Sequence, residues 1–244
     1  LLVISTVLII GGVAAKIISA NNQHAKELIK QNKILKDKLQ LTVLKEQRIR
    51  CMKKAMILTY CLSKWEAHYY SIIIDDCATY YGIPWEIYAA IIRIESNFNG
   101  TVISPQKAKG LMQILEGTGK AEAALIGSDF IEGQTLWNDF SNLILGCNYL
   151  SRLIKNTNLE SGVKSYLGGP GYLTTIKYNP KAGEYIKEYK TSVWKEYKQL
   201  VYIYRGIIDE FGTINYNEIH HPAYVDSIII NTEIFDSMND STKH

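Results

Sequence analysis

The segment RIESNFNGTVISPQKAKGLMQI, residues 93–114, carries the strongest indication of this chain's fold. It begins where an apolar, helix-like run ends, and it places Glu95 on the helical face of Tyr88 and Ile91. On such a face a carboxylate loses hydration and its pKa rises, and the helix macrodipole acts in the same direction. This predicts a general acid at Glu95. The helix alone, however, favours an ordinary amphipathic helix with Glu95 at its solvent boundary, so the prediction depends on the residues that follow.

A series of ordered sequence blocks follows Glu95. Ser96 comes directly after it, Ser104 lies nine positions after it, and residues 108–113 have the sequence AKGLMQ. The later blocks are Thr118; Asn142, Gly146, Tyr149 and Leu150; the loop SYLGGPG at 165–171; and Tyr185 with Ile186. In residue type, order and spacing these blocks resemble the soluble-type (SLT domain) lytic transglycosylases of the lysozyme-like superfamily. The resemblance covers about residues 65–200.

The sequence departs from the pattern of that family at several positions, of which Gly168, in place of an alanine, adds flexibility to the loop. Lys107 replaces the glycine that precedes the alanine of the G-A-x-G-L-M-Q run, and Leu167 replaces the asparagine after the loop tyrosine. The asparagine is able to hydrogen-bond substrate or to position the loop, so its replacement predicts altered contacts to the substrate. Loss of activity is not required, because the acid itself is present.

The resemblance implies an all-α, lysozyme-like domain of the goose-type and transglycosylase kind, and an enzyme that is a lyase acting on a polysaccharide. Members of the family cut the β-1,4 bond between N-acetylmuramic acid (MurNAc) and N-acetylglucosamine (GlcNAc) in peptidoglycan, with formation of 1,6-anhydro-MurNAc ends. Glu95 would then be the single general acid and base, assisted by the substrate's acetamido group, which is an exception to the usual pair of carboxylates. No cofactor is implied.

The family pattern also implies which residues contact the glycan. The residues expected to hold the sugar near the acid are Ser104, Gln113 and Tyr166. The residues expected to line the cleft are Met112, Leu115 and Tyr185. For this second group, packing in the core explains the residue types equally well. Flat tyrosine rings are suited to sugar stacking, but the helical spacing of Tyr185, Tyr189 and Tyr197 favours a place in the core.

The amino-terminal part of the chain differs from the rest in composition. Residues 1–15 are uncharged, and the apolar stretch continues to residue 20, about the length that a membrane-spanning helix needs. This predicts a transmembrane anchor over 1–20, with a cleaved signal peptide as the alternative. Residues 16–54 hold eleven Lys or Arg against three acids, a local charge of +8; since the whole chain carries +3, the remainder carries −5. Such a basic segment suits an anionic surface.

A helical stalk is predicted over residues 21–54. Its seam alternates spacings of three and four residues through Ala25, Leu28, Asn32, Leu35, Leu39 and Thr42. This spacing is typical of a coiled coil and predicts self-association, although a single amphipathic helix is equally compatible with it. The catalytic domain is predicted over 55–204, and a carboxyl-terminal extension over 205–244.

Local signals predict the helices of the catalytic domain. Helical periodicity runs from residue 55 to Gly82, and Pro84 is placed to begin a helix that ends at Ser96. Further helices are predicted at 117–126, 138–155 and 182–209, and a loop is predicted at 168–171. The segment SIIINTEIF, residues 227–235, is compatible with a strand or an ordered tail.

The cysteines and histidines indicate no metal site. Cys51, Cys61, Cys77 and Cys147 form no C-x-x-C pair, and the five histidines form no H-E-x-x-H pattern. The cysteines are expected to be small buried hydrophobic residues, with one disulfide in an oxidising compartment as the alternative.

The expected partners follow from the peptidoglycan substrate. Glycan strands place the catalytic domain on the periplasmic, cell-wall side of an inner (cytoplasmic) membrane, although the basic flank of the anchor by itself predicts a cytoplasmic body. A larger envelope-spanning machine is a further expected partner: a secretion or conjugation apparatus, or a genome-delivery device in a virion membrane or particle. The alternatives are a hydrolytic muramidase like the goose-type lysozymes, and a largely structural, wall-binding component of such an apparatus. A nucleic-acid binder is disfavoured, because residues 16–54 contain no aromatic side chain to stack on bases.

Overall fold

A computed structural model describes residues 2–169, 177 and 179–211 of the chain; the side chains at 2–18, 20, 180 and 211 are not described. Within this part of the chain every regular element is helical, which confirms the all-α prediction. The predicted segment 227–235, most of the predicted extension 205–244 and the predicted loop 168–171 after Gly169 lie outside the described residues.

In the described part of the chain the helices are α1 (Leu2–Tyr60), α2 (Lys64–Tyr81), α3 (Trp85–Ser96), α4 (Glu116–Leu125), α5 (Asp139–Lys155), α6 (Leu159–Gly168) and α7 (Pro180–Phe211), with a 3-10 turn at Thr135–Trp137. The helices predicted at 117–126, 138–155 and 182–209 are confirmed as α4, α5 and α7, within two residues at each end. No helix of the described residues combines the length and the hydropathy that crossing a membrane requires. The anchor at 1–20 stays a prediction.

The chain divides into two units, Leu1–Gln47 and Arg48–His244. In the first unit the side chains from residue 21 to residue 43 are exposed on α1, including the three leucines of the predicted seam. Self-association through that seam stays a prediction. Because α1 continues to Tyr60, no break in the helix marks the predicted limit between stalk and catalytic domain, and the predicted domain limits are untested.

A short break at residues 61–63 separates α1 from α2, although helical periodicity continues through this stretch. Ser63 caps α2: its side chain accepts a hydrogen bond from the Glu66 backbone N–H at 3.2 Å. The Glu66 carboxylate accepts one from the Ser63 N–H at 3.0 Å, which completes a reciprocal capping box. Local capping therefore starts a new helix inside a continuous apolar pattern.

The predicted end of α2 and the predicted limits of α3 are confirmed, within one residue. Gly82 ends α2 with φ 68°, a left-handed conformation that glycine adopts without a Cβ penalty. Pro84 then occupies the N-cap of α3, where its missing N–H costs nothing. The two helices therefore meet at a tight corner.

Helix α3 is the central element of the second unit. Its residues Ile87, Tyr88, Ile91 and Ile92 are completely buried, and α3 packs against α2 and α7. Helix α5 packs against α2, α4 and α6. Since burying one large aliphatic side chain contributes about 1.5–3 kcal/mol, α3 is held firmly by its neighbours. The last residues of α3, Glu95 and Ser96, are therefore held in defined positions.

Candidate active site

Glu95 is the penultimate residue of α3. It is partly buried, whereas Ile91 and Ile92 of the preceding turn are completely buried. The helix is closed by Asn97, which has φ 53° and donates its N–H to the Arg93 carbonyl at 3.1 Å. Because the backbone turns away directly after α3, the Glu95 carboxyl group is left at the edge of the core.

Tyr189 on α7 is the hydrogen-bond partner of Glu95. Its hydroxyl donates to Oε1 of Glu95 at 2.6 Å, across 94 positions of sequence. Burial raises the pKa of Glu95 to about 7, and the tyrosine hydroxyl opposes this rise because it stabilises the ionised form. Burial also raises the pKa of Tyr189 well above its usual range, so Tyr189 keeps its proton and remains a donor. The carboxyl group can therefore exist in both protonation states near neutral pH.

The loop after α3 is tied to the helix that carries Glu95. Ser96, the next residue, donates its hydroxyl to the Leu111 carbonyl at 2.7 Å. Asn142 on α5 holds the same loop: its amide oxygen accepts from the Met112 N–H at 2.8 Å, and its amide nitrogen donates to the Lys109 carbonyl at 2.8 Å. Both Ser96 and Asn142 are buried, so these hydrogen bonds are shielded from water. The loop is thereby fixed relative to the acid.

Two glycines allow this close packing. A Cβ at Gly110 would collide with the Asn142 amide and with the backbone carbonyl of Leu136, and its φ of +75° is unfavourable for other residues. A Cβ at Gly146 on α5 would collide with the Met112 side chain. The two glycines therefore let the 108–113 run lie directly on α5.

Ser104 and Gln113, which were expected to hold the sugar, both stabilise the loop itself. The Ser104 hydroxyl oxygen accepts from the Ala108 N–H at 3.0 Å. The Gln113 side-chain amide donates to the carbonyls of Val102 and Gly110 at 3.0 and 2.9 Å. Both residues are only partly buried, so part of each side chain faces solvent. Contact with a sugar stays a prediction for both.

Tyr166 and Met112 are more deeply buried than Ser104 and Gln113. The Tyr166 hydroxyl donates to the backbone carbonyl of Met112 at 2.7 Å, and its ring packs on Tyr149 with centroids 5.4 Å apart. The Glu95 charge contributes, after burial, to raising the pKa of Tyr166, so α6 brings this ring near the acid. The Met112 side chain is 0% exposed and lies against Gly146 and Cys147. Met112 was expected either to line the cleft or to pack in the core, and its position corresponds to packing in the core.

Leu115 and Tyr185 are exposed. Leu115 directly precedes α4 and is 46% exposed, and Tyr185 on α7 is 62% exposed. Tyr185 lies one helical turn before Tyr189, so it shares the face of the residue that binds Glu95. Both side chains are accessible to a ligand, and their role in lining a cleft stays a prediction.

Two of the departures from the family pattern, Lys107 and Leu167, have different structural settings. Lys107 has φ +66°, a conformation that costs a residue with a Cβ about 1–2 kcal/mol and that glycine adopts freely. Leu167 on α6 is partly buried and packs against the hydrophobic core. The first replacement strains the loop locally, and the second turns a polar position into a packing contact.

Sequence reasoning placed Tyr189 in the core and did not identify it as the partner of Glu95. Tyr189 is indeed buried, with 6% exposure, and its hydroxyl reaches the acid from there. The available signal was its position one turn after Tyr185, on the same face of the closing helix. That signal is weak, because a buried tyrosine at helical spacing is usually a packing residue.

Among the described residues no cluster of three or more His, Cys, Asp or Glu side chains is arranged to hold a metal ion. All four cysteines are free thiols. Cys51, Cys77 and Cys147 are buried, as expected, whereas Cys61 in the break after α1 is exposed, contrary to expectation.

The arrangement is suited to general acid and base chemistry, because a carboxyl group of raised pKa stands at the end of a buried helix, beside a loop that buried hydrogen bonds hold in place. Residues 73–189 match the family model described as "Transglycosylase SLT domain". This segment of the chain belongs to that family, as the sequence blocks predicted.

The comparisons with curated proteins and solved structures give similar relatives. Membrane-bound lytic murein transglycosylase C of Yersinia pestis (strain Pestoides F) and of Yersinia pseudotuberculosis (serotype O:1b, strain IP 31758) are each 30% identical over 127 residues, covering 47% of this chain and 35% of the relative. The chain therefore spans about a third of the length of these relatives. An inactive mutant of lytic transglycosylase Slt from Pseudomonas aeruginosa is 24% identical in sequence, with a TM-score of 0.47. The match covers 57% of this chain and 24% of the other. The 70 kDa soluble lytic transglycosylase of Escherichia coli is 22% identical in sequence, with a TM-score of 0.47. That match covers 68% of this chain and 30% of the other.

Proposed function

We propose that this chain is a peptidoglycan lytic transglycosylase that cleaves the MurNAc-β-1,4-GlcNAc bond and leaves 1,6-anhydro-MurNAc ends. One observation carries the proposal: burial raises the pKa of Glu95 to about 7, and the Tyr189 hydroxyl donates a hydrogen bond to its Oε1 at 2.6 Å. A carboxyl group near half-protonation can act first as an acid and then as a base within one catalytic cycle. Membership of residues 73–189 in the SLT family supports the choice of substrate.

The first step is proton donation. Protonated Glu95 gives its proton to the glycosidic oxygen, the C1–O bond of MurNAc breaks, and GlcNAc leaves with a free 4-hydroxyl group. Positive charge develops at C1 and is stabilised by the acetamido oxygen of the same sugar. Glu95 is now ionised, and the Tyr189 hydroxyl, which donates to Oε1, stabilises that form.

The second step closes the anhydro ring. Ionised Glu95 takes the proton from the 6-hydroxyl of MurNAc while the 6-oxygen attacks C1. The cycle ends with Glu95 protonated again, so it consumes no water and needs no second carboxylate. The apolar residues Ile91 and Ile92 below the acid keep competing water away from this side.

Four side chains are proposed to contact the glycan. Ser104 and Gln113 present their exposed parts from the pinned loop, and Leu115 and Tyr185 present exposed surface from the start of α4 and from α7. Tyr166 stabilises this surface from the interior of the protein, because its hydroxyl donates a hydrogen bond to the Met112 carbonyl. Such positioning contributes to catalysis by orienting the bond to be cleaved.

The catalytic domain is proposed to work on the cell-wall side of a membrane. An anchored form is supported by the uncharged segment 1–15, by the basic segment 16–54 and by the name of the Yersinia relatives, which describes them as membrane-bound. An anchored enzyme of this kind would open the wall locally for a larger envelope-crossing machine, or for genome delivery from a virion.

The test is an analysis of reaction products. Purified cell-wall sacculi are digested with the chain and with its Glu95→Gln variant, and the ends of the released fragments are identified by mass spectrometry. We expect anhydro-MurNAc ends that are absent with the variant. Reducing MurNAc ends would instead establish a hydrolytic muramidase, and release of no fragment by the parent chain would favour a structural, wall-binding role.

A further inference from the structure

Four aromatic rings form a continuous row from the surface to the end of α3. This aromatic row consists of Trp65, Tyr69, Tyr70 and Phe98. The Trp65 and Tyr69 rings are stacked, with centroids 5.1 Å apart and an interplanar angle of 8°. Tyr69 contacts Tyr70 at 5.7 Å, and Tyr70 contacts Phe98 at 5.9 Å. Phe98 lies three residues after Glu95, so the row connects an exposed surface with the end of α3 that carries the acid.

The inner half of the row is fixed in place. Phe98 is buried and also packs on Tyr60 at 4.8 Å. The Tyr70 hydroxyl donates to Asp139 Oδ2 at 2.9 Å, which ties α2 to the start of α5. Tyr69 is partly buried against the core. A ring stacked on Tyr69 therefore rests on a rigid support and loses little conformational entropy when it binds a ligand.

The outer end of the row, Trp65, is exposed to solvent, unlike the inner rings. Trp65 is 68% exposed, which leaves one face of a large apolar ring in water. Its neighbours Ser63, Lys64 and His68 are exposed polar residues. A flat aromatic face surrounded by hydrogen-bonding groups is chemically matched to a pyranose ring, which has an apolar face and a rim of hydroxyl and amide groups.

We infer that the stacked pair Trp65–Tyr69 is a distal subsite that binds the glycan strand away from the bond being cleaved. This inference rests on the proposed function. A polymeric substrate extends well beyond the reacting sugars, and binding energy from such remote parts holds the strand in place for reaction. The aromatic row begins at Phe98, three residues after Glu95, and ends in an exposed flat ring, which fits a strand better than a single disaccharide.

The test compares ligands of two lengths. The full chain carrying Glu95→Gln, which binds without cleaving, is titrated with long peptide-free glycan strands and with the GlcNAc–MurNAc disaccharide. Trp65→Ala is then added. We expect affinity for long strands to fall about 10-fold, since one stacking contact has roughly that value, while affinity for the disaccharide stays unchanged. Trp65→Phe, which keeps a ring on Tyr69, should restore most of the loss.

Tyr80→Ala is the matched control. Tyr80 is on the same helix, is 82% exposed and lies outside the row, so its removal should change neither affinity. Equal strand affinity in the Trp65→Ala chain and its parent would overturn the inference. An equal loss for both ligands in a variant whose thermal unfolding matches that of the parent would also overturn it, because Trp65 would then contribute nothing specific to a long strand. Weakened binding to anionic lipid vesicles with unchanged glycan binding would assign Trp65 to a membrane and would also overturn it. A parent chain that binds no glycan would refute the proposed function together with this inference.

Discussion

Glu95 and Glu122 both carry a carboxylate into the helical domain, but their partners differ. Glu122 on α4 is completely buried, forms an ion pair with Arg152 and accepts a hydrogen bond from the Asn148 amide at 2.7 Å. Glu95 is less deeply placed, and a tyrosine hydroxyl is the donor that reaches it. The Arg152 pKa is raised by its hydrogen bond to Glu122, and that of Glu95 is raised to about 7 by burial.

The difference shows how one residue type can join two helices in one place and remain titratable near neutral pH in another. The Glu122 carboxylate, which meets a cation and an amide, joins α4 to α5. A carboxyl group that meets a neutral hydroxyl at the edge of an apolar core keeps access to both protonation states. Isosteric Glu→Gln changes at the two positions should therefore have opposite consequences.

The largest effect is expected on turnover in the Glu95→Gln chain. The amide cannot transfer a proton, so release of fragments from sacculi should fall by about 1,000-fold or more. Circular dichroism and thermal unfolding check that the variant is folded. Residual activity within tenfold of the parent would show that another group supplies the proton.

The same substitution should raise stability at alkaline pH. The folded chain keeps the Glu95 proton up to a pKa of about 7, whereas the unfolded chain releases it near 4.5. Between these values the folded state binds more protons, so the free energy of unfolding falls as pH rises through this window. Ionised Glu95 therefore destabilises the parent by about 1–3 kcal/mol at pH 8, which Glu95→Gln removes.

Urea denaturation of both chains at pH 4 and pH 8 measures this effect. The two chains should differ at pH 8 and agree at pH 4, where the Glu95 carboxyl group is neutral in the folded and unfolded states. A constant difference at both pH values would mean that the pKa of Glu95 is not raised.

Glu122→Gln should reverse the pattern seen at Glu95. It removes the charge opposite Arg152 but keeps the shape of the side chain, and it should cost about 2 kcal/mol in the free energy of unfolding. Arg152 is partly exposed, so water compensates part of the loss. Activity per folded molecule should stay within about twofold of the parent. A stable but inactive Glu122→Gln chain would place Glu122 in the catalytic machinery.

The smallest effect concerns Tyr189→Phe. The tyrosine hydroxyl stabilises ionised Glu95, so its removal should raise the pKa of Glu95 further and move the alkaline limb of the pH–rate profile to higher pH. The maximal rate should fall about tenfold, because the ionised form needed in the second step loses a hydrogen bond. Tyr202→Phe, at an exposed position on the same helix, is the control. If the alkaline limb of the pH–rate profile stays at the same pH in both variants, Tyr189 acts only as a packing residue.

Features that depend on neighbouring residues were predictable from the sequence. The end of α2 at Gly82 and the start of α3 after Pro84 follow from backbone preferences that act locally. The partial burial of Glu95 follows from its spacing to Ile91, because both lie on one helical face. The break at 61–63 was missed, since the capping box of Ser63 and Glu66 competes with an apolar periodicity that continues through it.

The sequence by itself determined the helical class and the SLT character of residues 73–189, and it singled out Glu95 as the candidate acid, because each of these depends on short, ordered patterns. The tertiary structure decided which groups meet around that acid. Tyr189 reaches Glu95 across 94 positions, and Asn142 reaches Met112 across 30. Such pairings depend on how α5 and α7 pack against α3 and its loop. Local periodicity places a residue on a face of its helix, but only packing decides which side chain stands opposite.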